Sequence, residues 1–376
     1  MIEIKLGINR NLLQNTSRPI HGGNRQWAAT IAGVNPADIL DFSASINPLG
    51  IPQTAIAAMQ SQLSELGHYP DPEYTLLRSA IGTFHQLPPE YILAGNGVAE
   101  LLTWTGRDLA NLEATVLFTP AFNDYERALR AFDCQIERYA LLSEDFLAAL
   151  PQISIDPKIP CTHNSRQKGI LLNNPHNPTG YLFTKASLYP YLEQFALVVI
   201  DEAFMDFLEP SQQQSLLELV PFYPNLVILR SLTKFYGLPG LRLGYAIAHP
   251  DRLARWQTWR DPWSVNSLAV AAGIAALADR DFQHQTWSWL QSAKLQLFAG
   301  ISQLAGLHPL PNAANYLLVH TAIAGTTLQL ELLKNHQILI RDCLSFPELG
   351  DRFFRVAIKQ EQDNQRLLTA LAAALR

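Results

Sequence analysis

Apolar and polar positions divide this chain into short apolar runs that alternate with helical stretches. Residues 1–20 read as a loosely held arm. Apolar residues at helical spacing predict helices over Pro52–Leu66 and Pro72–Gln86. Beyond them the pattern predicts strands over 91–94, 114–118, 134–139, 169–173, 196–201, 225–230 and 241–247. Helices are predicted over 98–109, 121–131 and 184–193. Such alternation implies an α/β domain with a mostly parallel sheet. Helices near 264–279 and 281–305 follow. The C-terminal region reads strand 315–319, helix 326–335, strand 337–341, strand 353–358 and helix 361–375, a smaller α+β lobe. Segment 158–168, with Cys161, His163, Asn164, Ser165 and Arg166, is polar and reads as a mobile surface loop. His163 is then a solvated side chain, not a catalytic one. Tryptophans at 256, 259, 263, 287 and 289 fit core or subunit-interface packing.

Composition narrows the class. The chain has 376 residues, 48% apolar and 16% charged, which implies a globular protein of more than one lobe. A net charge of −5 with no basic cluster argues against a nucleic-acid partner. Cys134, Cys161 and Cys343 lack metal-ligand spacing, so no metal is expected. They fit a reducing cytoplasm without a disulfide framework. No run approaches the ~18 apolar residues of a transmembrane helix, and the first twenty residues lack a signal-peptide pattern. A cytoplasmic protein with no membrane partner is the expectation.

Four segments carry candidate chemistry. The first runs from Ser231 to Tyr245 and places Lys234 between two apolar runs. An unpaired buried ammonium is costly. A covalent imine with the aldehyde of pyridoxal phosphate would remove that cost and create a catalyst. Ser231, Thr233 and Arg242 would then hold the cofactor phosphate; the alternative is a strand-end lysine exposed in a loop. The second, Leu197 to Phe204, is an apolar strand ending in Asp201. A carboxylate at that end of a parallel strand either meets a ligand, here a pyridine nitrogen, or caps a helix. The third, Gly169 to Gly180, runs from a strand into Asn-Pro turns, where Asn177 either meets the cofactor's phenolic oxygen or serves the turn alone. The fourth, Leu93 to Glu100, joins a strand to a helix through Gly95 and Gly97, and a helix N-terminus offers free N–H groups to phosphate.

The order and spacing of these four segments resemble the pyridoxal-phosphate enzymes of aminotransferase fold type I. Within them the chain is similar to the histidinol-phosphate aminotransferase branch, and more closely to the threonine-phosphate decarboxylases of cobalamin biosynthesis. The closer likeness rests on His21-Gly-Gly-Asn24, Asp41 to Gly50, His68-Tyr69-Pro-Asp71, Asp201-Glu-Ala-Phe204, Arg230 to Tyr236, Pro262 to Asn266, Ile338-Leu-Ile-Arg341 and Phe354 to Ile358. It covers nearly the whole chain from residue 21. The resemblance implies a mostly parallel central sheet sandwiched by helices, with a smaller C-terminal α+β domain. It implies an arm over 1–45 joining the small domain, a large cofactor-binding domain over 46–269 and a small domain over 270–376.

The resemblance also implies roles. Lys234 is the catalytic lysine that bonds pyridoxal 5'-phosphate, and Asp201 is the partner of the pyridine nitrogen. Asn177 meets the phenolic oxygen and Phe122 stacks on the ring, with core packing as the alternative for Phe122. Gly97, Val98, Ser231, Thr233 and Arg242 hold the cofactor phosphate. Tyr69 reaches the neighbour's cofactor phosphate in a homodimer with shared active sites. Arg355 holds the substrate carboxylate. Arg341, His21 and Gly22 meet the substrate phosphate, with a surface salt bridge as the alternative for Arg341 and a mobile N-terminal lid as the alternative for His21. Guanidinium forks suit both anions. Two departures stand out. Phe204 replaces the usual tyrosine of the aminotransferase branch. Ser45 replaces the asparagine of the decarboxylases, so a water would bridge it to substrate. The implied reaction is decarboxylation of O-phospho-L-threonine. The alternatives are histidinol-phosphate transamination, which shares every cofactor residue, and a non-enzymatic regulator, for which no basic helix-turn-helix precedes residue 21.

Overall fold

Apolar runs along the chain become one central sheet. The computed structural model describes residues 18–142 and 165–376. A short strand β1 (Leu40–Asp41) comes first. The main sheet follows with β2 (Ile92–Asn96), β3 (Thr115–Thr119), β4 (Ile136–Ala140), β5 (Gly169–Asn173), β6 (Leu197–Asp201), β7 (Leu226–Ser231) and β8 (Leu243–Ala248). Their spatial order is β2-β8-β7-β6-β5-β3-β4. β8 runs antiparallel to both β2 and β7, and the remaining pairings are parallel.

Helices cover both faces. They are α1 (Arg25–Ala32), α2 (Gln53–Ser61), α3 (Thr75–His85), α4 (Val98–Leu109), α5 (Asn123–Arg130), α6 (Lys185–Gln194), α7 (Pro250–Gln257), α8 (Ser267–Ala278), α9 (Arg280–Ser302), α10 (Gly325–His336) and α11 (Glu361–Ala374). Alternation along β6 shows the layering: Val198 and Ile200 join one core, Leu197 and Val199 the other. Strands buried on both faces need continuous apolar runs, which explains why the sequence pattern found them.

The smaller sheet comprises β9 (Leu307–Pro309) and β10 (Tyr316–Thr321). Past β11 (Ile338–Leu339), it adds β12 (Arg341–Asp342) and β13 (Phe353–Ala357), in the order β12-β13-β10-β9 and antiparallel throughout. β11 instead pairs in parallel with β1.

Three expectations need correction. The strand predicted over 337–341 is two strands, because Ile340 turns into the core between a pairing with β1 and a pairing with β13. The strand predicted over 241–247 starts at Leu243; Arg242 before it is left-handed, with φ 57°, which a strand cannot accommodate. Helices α1 and α7 and strand β9 lacked a clear pattern; α7 carries three charges in eight residues and buries only Leu253 and Trp256. Residues 1–17 and 143–164, with His163 and Cys161, lie outside the described residues. Among the described residues, no helix is long and apolar enough to cross a membrane, and no three potential ligands group to hold a metal.

Candidate active site

The C-terminal ends of β5, β6 and β7 open into a cavity of about 420 Å³, where open α/β sheets place ligands. β6 delivers Asp201, which is buried. Its Oδ1 accepts the Ala203 N–H at 3.0 Å and its Oδ2 accepts the Tyr125 hydroxyl at 2.9 Å. Burial pushes the carboxyl up to about 6, against those two hydrogen bonds and the Lys234 charge. A cation placed beside Asp201 would restore the ionised form.

β7 ends in Ser231, whose hydroxyl lies 2.7 Å from that of Thr233. Lys234 follows in the turn, half-buried and open to the cavity. The surrounding protein still withdraws its ammonium from bulk water. That burial, then Arg355 and Arg242, brings it down to about 8, while Asp201 pulls the other way. Arg242 reaches the same end because β8 is antiparallel and begins there. Gly97, at φ 75°, stands at the N-terminus of α4. A Cβ on Gly97 would lie 2.6 Å from Arg242 Nη2, and one on Gly244 would lie 2.8 Å from the Val98 nitrogen. The two glycines keep an oxygen-sized cradle between α4, Ser231 and Arg242.

The small domain supplies the far wall. Strand register sets Arg341 directly opposite Arg355. Both are buried. Arg355 donates to Asn177 Oδ1, and its guanidinium lies 4.4 Å over the Tyr316 ring. Arg341 donates to the Pro19 and Ile20 carbonyls and to Ser345 Oγ at 2.6 Å. All of these acceptors are neutral, and burial lowers both guanidiniums from their ordinary values.

His21 and Gly22 also line the cavity, and the His21 ring lies 5.9 Å from that of Phe122. Burial, then Arg341, lowers the His21 imidazole. Ser45 lines the cavity, and among the described residues its buried hydroxyl meets no partner. Phe204 also lines it, edge-on to Tyr316. Tyr316 donates its hydroxyl to the His176 carbonyl, so it does not replace the missing tyrosine hydroxyl at Phe204.

Every predicted site residue except Gly97 and Tyr69 lines this cavity, and Gly97 abuts Arg242. Tyr69 is 79% exposed and stacks on Trp263 at 4.5 Å, outside the cavity. Sequence reasoning missed Tyr125, Ser43 and Ser345. Tyr125 follows Phe122 by three residues, and the two rings meet edge-on at 5.5 Å. Ser43 and Ser345 sit two and four residues beyond the singled-out Asp41 and Arg341.

These donors fit pyridoxal 5'-phosphate. Lys234 Nζ suits an aldehyde, Asp201 a cationic ring nitrogen, Asn177 a phenolate oxygen and Phe122 a flat ring. The cradle of Gly97, Val98, Ser231, Thr233 and Arg242 suits a phosphate.

Comparison with known proteins agrees. Residues 37–371 match the family model for aminotransferase class I and II. A threonine-phosphate decarboxylase of Salmonella typhimurium is 38% identical, over 94% of this chain and 96% of its own. A histidinol-phosphate aminotransferase of Symbiobacterium thermophilum is 33% identical, over 90% of this chain and 91% of its own. Among solved structures, the histidinol-phosphate aminotransferase from Clostridium acetobutylicum superposes with a TM-score of 0.78 at 27% identity, covering 89% of this chain and 98% of that one.

Proposed function

The chain belongs to the aminotransferase class I and II family, and from that premise we propose that it decarboxylates O-phospho-L-threonine. The products are carbon dioxide and the phosphate ester of (R)-1-amino-2-propanol, a step in adenosylcobalamin biosynthesis. The enzyme depends on pyridoxal 5'-phosphate and belongs to fold type I. The observation that carries the reading is the Arg341–Arg355 pair. Like charges directly opposed across an antiparallel pair destabilise a sheet. Two buried guanidiniums held only by neutral acceptors suit a ligand with two anionic groups. O-phospho-L-threonine carries a carboxylate and a phosphate at once. Histidinol phosphate carries only the phosphate, so in the aminotransferase reading Arg355 would meet an anion only when the dicarboxylate 2-oxoglutarate is bound.

When bound, pyridoxal phosphate supplies an electron sink for the pair released as a bond at the substrate Cα breaks. Asp201 would keep the proton on the ring nitrogen. Asn177, with its oxygen engaged by Arg355, would offer its amide nitrogen to the phenolic oxygen. Arg355 fixes the carboxylate and with it the bond that is set to break. Lys234 Nζ, brought down to about 8, exchanges a proton at Cα near neutral pH.

Incubation with O-phospho-L-threonine is expected to release carbon dioxide without any keto acid. Consumption of histidinol phosphate with 2-oxoglutarate, leaving O-phospho-L-threonine intact, would replace this reading with the aminotransferase.

We also propose a homodimer with shared sites. Tyr69, Trp263, Leu63, Leu66 and Leu76 are exposed apolar side chains on α3 and the segments beside it, a surface that a second copy would cover. Tyr69 would reach the neighbour's cofactor phosphate. A mixture of Lys234→Ala and Tyr69→Phe proteins is then expected to exceed the average of the two parents. The mixed dimer has one site with both an intact lysine and an intact tyrosine. Simple averaging in a mixture proven to exchange subunits excludes sharing through Tyr69.

A further inference from the structure

We infer that Asp41 and Ser43 form a clasp that positions His21 and thereby sets selectivity for the phosphorylated substrate; this rests on the substrate reading above. Ser43 is buried. Its hydroxyl accepts the Gly23 N–H at 2.8 Å and donates to Asp41 Oδ1 at 2.6 Å. The Ser43 N–H also donates to that oxygen, at 2.7 Å. One carboxylate oxygen therefore fixes both the backbone and the hydroxyl of Ser43. The hydroxyl then fixes the strap that carries His21.

Close packing reinforces the bond. A Cβ on Gly22 would lie 2.7 Å from the Ser43 carbonyl carbon. Only glycine lets the strap lie this flat on Ser43. Gly23 beside it takes φ 88°, which glycine adopts without strain.

Both ends of the strap are tied to the small domain. Arg18 donates to Gln329 Oε1 at 2.5 Å and to Asp342 Oδ2 at 3.3 Å. Arg341 donates to the Pro19 and Ile20 carbonyls. On the other side, Asn24 caps α1, accepting the Trp27 N–H at 2.9 Å. Helix α1 packs on Leu333 and Leu339 of the small domain. Between these ties His21 faces Phe122 of the large domain. On the C-terminal side of His21, Ser43 is the nearest anchor, through the Gly23 N–H. Asp41 sits on β1 and pairs with Leu339 of β11, two residues before Arg341. The clasp thus holds His21 in register with Arg341, and both bear on one anion. Asp342 forms its ion pair with Arg18, and Arg341 makes its hydrogen bonds to neutral acceptors only, so its guanidinium stays available to that anion.

Asp41 and Ser43 are positioning residues in this account, acting on substrate through the strap. The test follows bound ligand by the visible absorption of the holoenzyme, with O-phospho-L-threonine and L-threonine as probes. Ser43→Ala is expected to weaken O-phospho-L-threonine about tenfold, the scale of one hydrogen bond, with kcat within about twofold and L-threonine binding unchanged. Asp41→Asn keeps an acceptor for Ser43 and is expected to retain most of the selectivity, whereas Asp41→Ala is expected to lose it. Cofactor absorption and thermal midpoint identify any variant that fails to fold, and Asp41→Asn then carries the comparison: a tenfold loss of selectivity in it would overturn the inference. Equal weakening of both ligands in Ser43→Ala, or no weakening of either, also overturns it. Wild-type protein that binds both ligands equally would sink the substrate reading itself. Wild-type selectivity that survives in Ser43→Ala would sink only the clasp.

Discussion

Lys234→Ala protein is expected to lose turnover by about 10³-fold or more while still holding the cofactor. The size follows from losing a positioned acid-base group, commonly 10²–10⁴-fold, together with the covalent anchor. Retention follows from what remains: Asp201, Arg242 and the Ser231–Thr233 hydroxyl pair do not depend on the lysine for their places. Wild-type protein is expected to be yellow and to gain the mass of the cofactor on Lys234 after borohydride reduction. The variant should gain none. Near-normal turnover of Lys234→Ala would remove Lys234 from the chemistry.

Removing either guanidinium of the Arg341–Arg355 pair is expected to have the next largest effect. Truncating one partner of a buried charge-assisted contact costs about 2–5 kcal/mol, or about 30-fold or more in affinity. Arg341→Ala should weaken O-phospho-L-threonine by that much and L-threonine little. Arg355→Ala should weaken both, because both carry the carboxylate. It should also blur the choice of bond at Cα, measured as a rise in abortive transamination relative to carbon dioxide release. Arg355 also holds Asn177 and lies over Tyr316, so Arg355→Lys is a useful control. It keeps the charge but loses the planar fork, and should recover little. Equal losses for the two ligands in Arg341→Ala would exclude a phosphate role for that residue.

Much of this architecture was legible before the structure. Apart from the edge strand β4, the strand runs from Ile92 to Ala248 are apolar because they are covered on both faces, and burial on both faces leaves a signal that needs no partner to read. Asp201, at the end of such a run, stands out for the same reason. What stayed hidden depends on contacts distant in sequence. The Tyr125 hydroxyl meets Asp201 across 76 residues. Arg341 meets the Pro19 and Ile20 carbonyls more than 300 residues away. Neither contact leaves a periodicity. The left-handed turn at Arg242 was invisible because apolar neighbours suggested a longer strand. α1 went unmarked because, of its eight residues, it buries only Trp27, Ala28 and Ala29.

The pairing of β12 with β13 acts as a ruler. Arg341 and Arg355 are spaced by backbone register, not by a loop, so the span between two anions they would accept is a property of the sheet. Side chains alternate faces along a strand, and a one-residue slip would send one arginine to the opposite side. A single-residue insertion immediately before Arg341 that shifts it against Arg355 should therefore erase recognition altogether. The same insertion in the connection between β12 and β13, within residues 343–352, leaves the ruler intact. Divergence toward longer or shorter substrates is then channelled into the residues that close the cavity, while the distance between the two anionic groups stays fixed.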